Sequence, residues 1–173
     1  MTTTTRLSEL NGDYVLDAGR TRIGFVARHR MATRVRGRFD VFEGAVHLDG
    51  DDPGRSSAQL TIRADSIDTG DRRRDAQLRK DFLGAPEYPI ITFVSTKVSQ
   101  VDRTRFDVTG DLTIRGVTHP VTVPFDLVST TDGVAFAAQL TIERARWQVN
   151  WNALTTALVE PTVVLDLQVF VTA

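Results

Sequence analysis

Residues 23–39 have the sequence IGFVARHRMATRVRGRF, in which apolar and basic side chains alternate. Successive side chains of a β-strand point to opposite faces, so this pattern predicts β-structure with one apolar face and one basic face. The apolar side chains hold the odd positions: Ile23, Phe25, Ala27, Met31, Val35 and Phe39. The arginines hold the even positions: Arg28, Arg30, Arg34, Arg36 and Arg38. We expect the odd positions to face a core and the even positions to face water.

The alternation changes phase directly after this stretch. Beyond Asp40 the apolar side chains move to even positions, at Phe42, Val46 and Leu48. Because the side-chain period of a strand is two, a change of phase requires a bulge or a bend, and we place it near Asp40 and Val41.

Period-two alternation continues to the end of the chain. It predicts strands near residues 58–64, 106–114, 117–127, 134–142 and 163–171, and a further strand near 90–98. The phase of the strand near 90–98 stays open, since Phe93 and Lys97 have the same parity. Short turn signals such as Arg115-Gly116 and Asp132-Gly133 join these strands, which favours an antiparallel meander. Closing eight strands into a barrel would remove unpaired edges, and a two-sheet sandwich is the alternative.

One segment, near residues 70–80, departs from the alternation and predicts a short helix. Asp68 or Thr69 is positioned to cap its N-terminus. Leu78 and Phe82 lie four residues apart on one helical face, so we expect them to seat the helix against the mouth of the barrel.

Composition limits the class of protein. The 173 residues are 41% apolar and 25% charged, with a formal net charge of −1 and no cysteine. These values fit one globular domain and exclude disulfide scaffolds, thiol nucleophiles and zinc–cysteine sites. We expect a flexible N-terminus over residues 1–11 and one barrel domain over residues 12–173. The first twelve residues resemble no secretory signal and no transmembrane helix is predicted, so the expected location is cytoplasmic.

The sequence contains few signs of catalysis. It lacks a nucleophile elbow, a phosphate-binding glycine loop and a zinc-protease motif. Its three histidines, His29, His47 and His119, lie far apart in sequence. We therefore predict no catalytic residue, no metal and no cofactor; in the alternative of an enzyme that acts on a lipid, His29 is the candidate titrating group.

Two arginine clusters require an explanation. Seven arginines lie between Arg20 and Arg38 with no acidic residue among them. They form either a solvated strand face or a basic patch for phosphate groups, and nucleic acid is not expected because no aromatic side chains are interleaved for stacking. Arg72, Arg73 and Arg74 at the predicted helix start either pair with Asp71 and Asp75 or contact a ligand head group.

The motifs of two segments match a known family. These motifs lie in residues 66–98, SIDTGDRRRDAQLRKDFLGAPEYPIITFVSTKV, and in residues 110–125, GDLTIRGVTHPVTVPF. On these motifs the chain resembles the YceI-like family, lipocalin-like proteins associated with polyisoprenoid binding, over about residues 12–172. Gln148 stands where the family usually has glycine.

The resemblance implies an all-β, antiparallel, eight-stranded lipocalin-like barrel that binds a long apolar chain without catalysis. The ligand it implies is a long-chain isoprenoid, an isoprenoid quinone or a related amphipathic lipid. The expected lumen residues are Ile23, Phe25, Phe39, Leu60, Ile62, Phe106, Val108, Phe136 and Leu140. The candidate mouth or head-group contacts are His29, Arg74, Trp147 and Trp151.

Two alternatives stay open from the residues alone. Large apolar side chains at inward positions fit a packed core as well as a lined cavity. A packed barrel would act instead as an adaptor that docks an anionic membrane or a protein through its arginine-rich face. A homodimer formed through strand faces is likewise an open alternative to a monomer.

Overall fold

The computed structural model describes residues 10–29, 34–150 and 159–173, and their strands form one antiparallel sheet. The strands are β1 (Asn11–Leu16), β2 (Arg22–His29), β3 (Arg34–Phe39), β4 (Phe42–Asp49), β5 (Ser57–Arg63), β6 (Ile67–Asp68), β7 (Ile90–Gln100), β8 (Arg105–Ile114), β9 (Val117–Ser129), β10 (Val134–Glu143) and β11 (Val159–Thr172). β1 begins one residue before the predicted domain boundary, and residues 1–9 of the predicted flexible N-terminus lie outside the described residues.

Eight of these strands close into a barrel in the order β1-β4-β5-β7-β8-β9-β10-β11. The ring closes where β11 pairs with β1, through Val15 with Thr172 and Leu16 with Val171. The predicted antiparallel eight-stranded barrel is therefore confirmed. Consecutive pairing holds from β7 to β11, whereas the N-terminal strands depart from a simple meander because β4 pairs back with β1.

The long alternating stretch forms a hairpin that extends the barrel wall. β2 pairs with the first part of β11, and β3 pairs with β2. The two-residue strand β6 then pairs with the end of β3. β3 ends at Phe39, a bend follows at Asp40, and β4 starts at Phe42, so the predicted break in phase is confirmed.

A β-bulge determines the phase of β7. The register of β7 against β8 shifts between Ser95 and Lys97. As a result Phe93 and Val98 both contact the core, although their parities differ, and Lys97 is exposed. A bulge inserts one extra residue and thereby reverses the facing of every later side chain.

The predicted helix consists of α1 (Arg72–Gln77) and a π-helical turn (Leu78–Phe82). Its cap is Asp71, whose carboxylate accepts the backbone N–H of Arg74 at 3.1 Å. The predicted caps, Asp68 and Thr69, are wrong because both are used before the helix starts: Asp68 accepts the N–H of Gly70, and Thr69 bonds with Asp75.

This helical segment covers one end of the barrel, which we call the helical end. Leu78 packs against the core and Phe82 is buried, as their spacing predicts. Arg115, in the turn between β8 and β9, donates from Nη1 to the carbonyls of Asp81 at 3.1 Å and Phe82 at 2.7 Å. A cation thus binds the carbonyls that a helix end leaves exposed.

A further short helix (Arg144–Trp147) follows β10 at the helical end. The opposite end carries the turns β4–β5, β7–β8 and β9–β10, and we call it the turn end. No helix in the described ranges has both the length and the apolar character needed to span a bilayer.

Gly110 in β8 is required by close packing. A Cβ at this position would lie 2.6 Å from the carbonyl oxygen of Val94 and 2.6 Å from Cζ of Phe93. We predict that Gly110→Ala lowers the free energy of unfolding by about 1–3 kcal/mol, as overpacking does. Urea unfolding measures the loss. The matched Gly54→Ala, where the nearest atom is 3.3 Å away in an exposed turn, should change stability by less than about 0.5 kcal/mol. Equal effects of the two changes would contradict the packing argument.

Gln148 ends the Arg144–Trp147 helix with φ of 59°, in the left-handed region that favours glycine. We predict that Gln148→Gly raises the free energy of unfolding by up to about 1 kcal/mol, because a side chain is strained in this conformation. Gln139→Gly, in the regular strand β10, should instead lower stability by about 0.5–1 kcal/mol. Thermal unfolding of both variants checks the opposite signs, and destabilisation by Gln148→Gly would refute the prediction.

Candidate functional site

The barrel encloses a cavity of about 510 Å³ with an almost entirely apolar lining. Its walls are the inward positions of the alternating strands, so the pattern that builds the sheet also builds the cavity. The nine apolar residues that the sequence assigned to the lumen all line it: Ile23, Phe25, Phe39, Leu60, Ile62, Phe106, Val108, Phe136 and Leu140. Their role as ligand contacts stays a prediction.

Close pairing of glycines with large side chains shapes the wall at the β2–β3 hairpin. Phe25 lies directly across from Gly37, and a Cβ on Gly37 would be 2.3 Å from Cζ of Phe25. The Phe25 ring therefore lies over the glycine, 5.8 Å from the Phe39 ring centroid. Gly37, Gly44 and Gly110 thus accommodate the neighbouring side chains of Phe25, Leu16 and Phe93.

Three aromatic rings line the cavity toward the turn end. Phe106 and Phe136 meet edge-to-face with centroids 5.3 Å apart, and Phe125 stacks on Phe106 at 6.0 Å. Edge-to-face and offset pairs of this kind stabilise an apolar wall beyond its buried area. This part of the cavity therefore has an aromatic, apolar wall.

Charged side chains line the cavity unevenly. Among the described lining residues, Arg28, Arg74 and Arg144 carry positive charge and Asp49 carries negative charge. The arginines belong to the helical end, whereas Asp49 lies at the turn end, where β4 finishes.

Arg74 is held in place by the SIDT segment. Its Nε donates to Oγ1 of Thr69 and its Nη2 to the carbonyl of Thr69, both at 2.8 Å. Thr69 in turn donates its N–H and its hydroxyl to the buried carboxylate of Asp75. Arg74 thus forms no ion pair within the described residues; Thr69 connects it to Asp75, and its side chain is fixed at the wall of the cavity.

Arg144 was missed by the sequence analysis, although a signal was present. It continues the even-numbered parity of the inward β10 positions, Val134 to Ile142. Its side chain is 5% exposed, and it donates from Nε to the Glu160 carbonyl at 3.1 Å and from Nη1 to the Val149 carbonyl at 3.0 Å and the Asn150 amide oxygen. Burial lowers the pKa of the Arg144 guanidinium, because the charged form loses hydration.

Trp147 does not lie among the cavity-lining residues. It is 0% exposed, and its indole N–H donates to the Leu112 carbonyl at 2.8 Å. The His119 ring meets it edge-to-face at 5.4 Å. Trp147 therefore packs into the core at the helical end and does not line the cavity, where a contact with a ligand head group was predicted.

The other two candidate mouth residues give less information. His29 ends β2, opposite Val159, and its side chain is outside the described part of the structure. Trp151 lies outside the described residues altogether.

The predicted arginine-rich face lies on the outside of the β2–β3 hairpin, where Arg22, Arg34, Arg36 and Arg38 are exposed. Arg28 is also exposed, and it borders the cavity at the helical end as well. Arg28 pairs in register with Arg34 across the two strands. Arg38 forms ion pairs with Asp40 at 2.8 Å and with Asp68 at 3.9 Å. The face is thus partly neutralised at the β6 edge.

Comparison with known proteins gives consistent matches. The family model of the YceI-like domain matches residues 14–171. Protein YceI of Escherichia coli O157:H7 is 36% identical over 128 residues, which is 72% of this chain and 66% of that protein. The match thus spans just under two thirds of the length of this relative.

Solved structures share the fold. BcnA of Burkholderia cenocepacia superposes with a TM-score of 0.85 at 29% identity, covering 91% of this chain and 99% of that one. A domain from Saccharophagus degradans, described as polyisoprenoid binding and implicated in plant cell wall breakdown, superposes with a TM-score of 0.72 at 23% identity over 92% of this chain and 98% of that one. With the family model matched over nearly the whole described barrel, this chain belongs to the YceI-like family.

Proposed function

We propose that this protein binds one long-chain amphipathic lipid, of the isoprenoid or a related class, with its tail inside the barrel. The observation that carries the proposal is the apolar cavity of about 510 Å³, which lies within the usual range of about 300–1,000 Å³ for small-molecule sites. The polyisoprenoid-binding description of the Saccharophagus degradans domain, which has the same fold, supports the ligand class. An isoprenoid quinone is one member of that class.

Burial of the tail provides enough free energy for tight binding. Each methylene moved from water to an apolar cavity contributes about 0.8 kcal/mol. Ten methylenes would contribute about 8 kcal/mol, from which the loss of ligand freedom must be subtracted. Binding therefore needs no covalent or metal-mediated contact.

Binding without catalysis is the function that the lining supports best. The charged groups among the described lining side chains are three arginines and Asp49. General acid–base catalysis needs a titrating group within hydrogen-bond reach of the reacting atom. The arginines stay protonated and so cannot act as general bases. The carboxylate of Asp49 lies at the turn end, so these residues do not place an acid and a base side by side.

The adaptor alternative has less support. It requires a packed interior, whereas the barrel contains a cavity. Arg22, Arg34, Arg36 and Arg38 on the outer face of the β2–β3 hairpin are exposed and do not line the cavity, so they would act on a charged partner independently of the lumen.

Native mass spectrometry of the recombinant protein tests whether the cavity holds lipid. We expect a one-to-one complex with a long-chain lipid, either co-purified or formed by incubation with isoprenoid quinones or polyprenyl phosphates. Organic extraction and mass analysis then identify the lipid class. An apo mass that persists through these incubations would overturn the proposal.

A steric block tests where the tail lies. Leu140 lines the cavity, and the neighbouring Gln139 is exposed on the other face of β10. We expect Leu140→Trp to weaken binding of geranylgeraniol at least about tenfold, a change of about 1.4 kcal/mol. Gln139→Trp should bind like the parent.

Two checks complete the steric test. Thermal unfolding establishes that both variants fold, and fluorescence titration measures their affinities. Suppose that both variants bind with equal affinity and that this affinity decreases as the salt concentration rises from about 0.05 to about 0.5 M. The ligand would then bind to the arginine-rich face instead of the cavity.

A further inference from the structure

The arginine-rich face carries positive charge that the described part of the chain does not balance. Its members alternate along two paired strands, at Arg22 of β2 and at Arg34, Arg36 and Arg38 of β3. Arg38 pairs with Asp40 and Asp68. The other three form no ion pair with any described residue. Three cations of one hairpin are therefore exposed without a counter-charge from the described chain.

The register of the hairpin adds repulsion to this face. Arg34 lies directly across from Arg28, and both side chains are exposed. Like charges that face each other across two strands destabilise a sheet. Arg34 and Arg36 are two residues apart, so their Cα atoms are about 7 Å from each other, which is less than the screening length of about 10 Å at 0.1 M salt. These charges therefore act together, and an anionic surface would offset their repulsion.

The charge of the whole chain does not explain an attraction to anions. The sequence has 21 basic and 22 acidic residues, which gives a formal net charge of −1. A protein of this net charge is not drawn as a whole toward an anionic surface. Any such attraction must come from one face of the molecule, in a fixed orientation.

Apolar side chains lie between the arginines. Val26 of β2 is opposite Arg36 of β3, and its register partner on the other side is Val164 of β11. Both valines are half-buried, and neither lines the cavity or belongs to the core clusters. At a bilayer surface, burial of apolar area adds to the electrostatic attraction of basic side chains.

The same face is poorly suited to nucleic acid. The outward positions of the described strands β2 and β3 carry arginine, glycine and valine, and no aromatic side chain on which a base could stack. A bilayer requires no such stacking. The combination of arginines and valines therefore favours a lipid surface.

We propose that the arginine-rich face docks this protein on the surface of an anionic lipid bilayer. Guanidinium groups form strong, charge-assisted hydrogen bonds with phosphate, which lipid head groups supply. The inner faces of the same two strands carry Phe25 and Phe39 to the cavity, so docking brings one wall of the cavity next to the membrane. The inference goes beyond the proposed function, because it concerns the outside of the barrel and holds whatever the cavity binds.

Sedimentation with lipid vesicles tests the docking. The vesicles consist of phosphatidylcholine alone or with about 30% phosphatidylglycerol, at about 0.1 M salt. We expect at least about tenfold stronger partitioning of the wild-type protein to the anionic vesicles, and loss of most of this difference at about 0.5 M salt. Equal partitioning to the two kinds of vesicle, or partitioning to neither, would overturn the proposal.

A double variant, Arg34→Gln with Arg36→Gln, assigns the docking to this face. Each arginine near an anionic surface strengthens binding roughly fivefold, so we expect the double variant to partition at least about tenfold more weakly. The matched control is Arg55→Gln with Arg103→Gln, which removes the same charge from exposed positions at the turn end. The control should partition within about twofold of the wild type. Equal losses in both double variants would refute the assignment to the arginine-rich face.

Two further measurements separate docking from other kinds of binding. The double variant at Arg34 and Arg36 should bind geranylgeraniol like the wild type, which shows that the barrel is folded and the lumen intact. Leu140→Trp, which blocks the cavity, should partition to anionic vesicles like the wild type. Weaker partitioning of Leu140→Trp would mean that lipid enters the lumen, and it would overturn docking through the outer face.

The remaining outcomes keep the two proposals distinct. A short DNA duplex that binds the wild-type protein more tightly than the anionic vesicles do would reassign the face to nucleic acid and overturn this inference. Failure to bind anionic vesicles, together with normal binding of geranylgeraniol, would overturn docking and leave the proposed function standing.

Discussion

Closure of the sheet by one strand is the constraint on which the rest of this structure depends. β11 is 14 residues long, and it pairs with β10 along one edge and with both β1 and β2 along the other. Without it, β10 and β1 would each leave a row of unpaired backbone groups, which is costly and prone to aggregation. With it, the inward faces of the eight barrel strands surround a common interior. The cavity, the hairpin that extends its wall and the position of the helical end all follow from this closure.

The same closure sets the space that the inward side chains have to fill. A closed barrel of eight strands has a radius set by strand number and stagger, so its walls cannot collapse onto one another. At Gly37 and Gly110 the rings of Phe25 and Phe93 occupy the space that a glycine side chain leaves open. These two rings therefore lie along the wall of the barrel and not at its centre. Protein interiors normally pack to high density, so an apolar space of about 510 Å³ is a departure that a ligand can correct.

Local alternation predicted most of the fold, and its failures have identifiable physical causes. The facing of Phe93 and Lys97 could not be decided because a bulge within β7 reverses the parity, and no residue type marks it. The helix cap moved to Asp71 because Asp68 and Thr69 were already engaged in a hydrogen-bond network that only the folded segment forms. Consecutive pairing failed at the N-terminus, because whether β1 pairs with β2 or with β4 depends on contacts distant in sequence.

The candidate site, too, could be predicted from the sequence only in part. Its apolar walls were predictable, since all nine proposed lumen residues line the cavity and each follows from strand parity. Trp147 was misplaced because an aromatic residue near a strand end fits the mouth of a barrel as well as its core. Its complete burial and the bond from its indole to the Leu112 carbonyl appear only in the folded structure. Arg144 was overlooked because a basic residue is expected to face water, although its parity placed it inside. For Arg144 the parity of its position therefore predicted its burial better than its charge did.

Ligand and fold are coupled in a barrel of this kind. An empty apolar cavity deprives its lining of dispersion contacts, so the unliganded protein has a lower free energy of unfolding than a filled barrel would have. A ligand that binds only the folded state adds stability by mass action, about 2.7 kcal/mol when its free concentration is one hundred times the dissociation constant. Under the proposed function, the tail would complete the core between the two clusters of buried residues, one that includes Trp147 and one that includes Phe106.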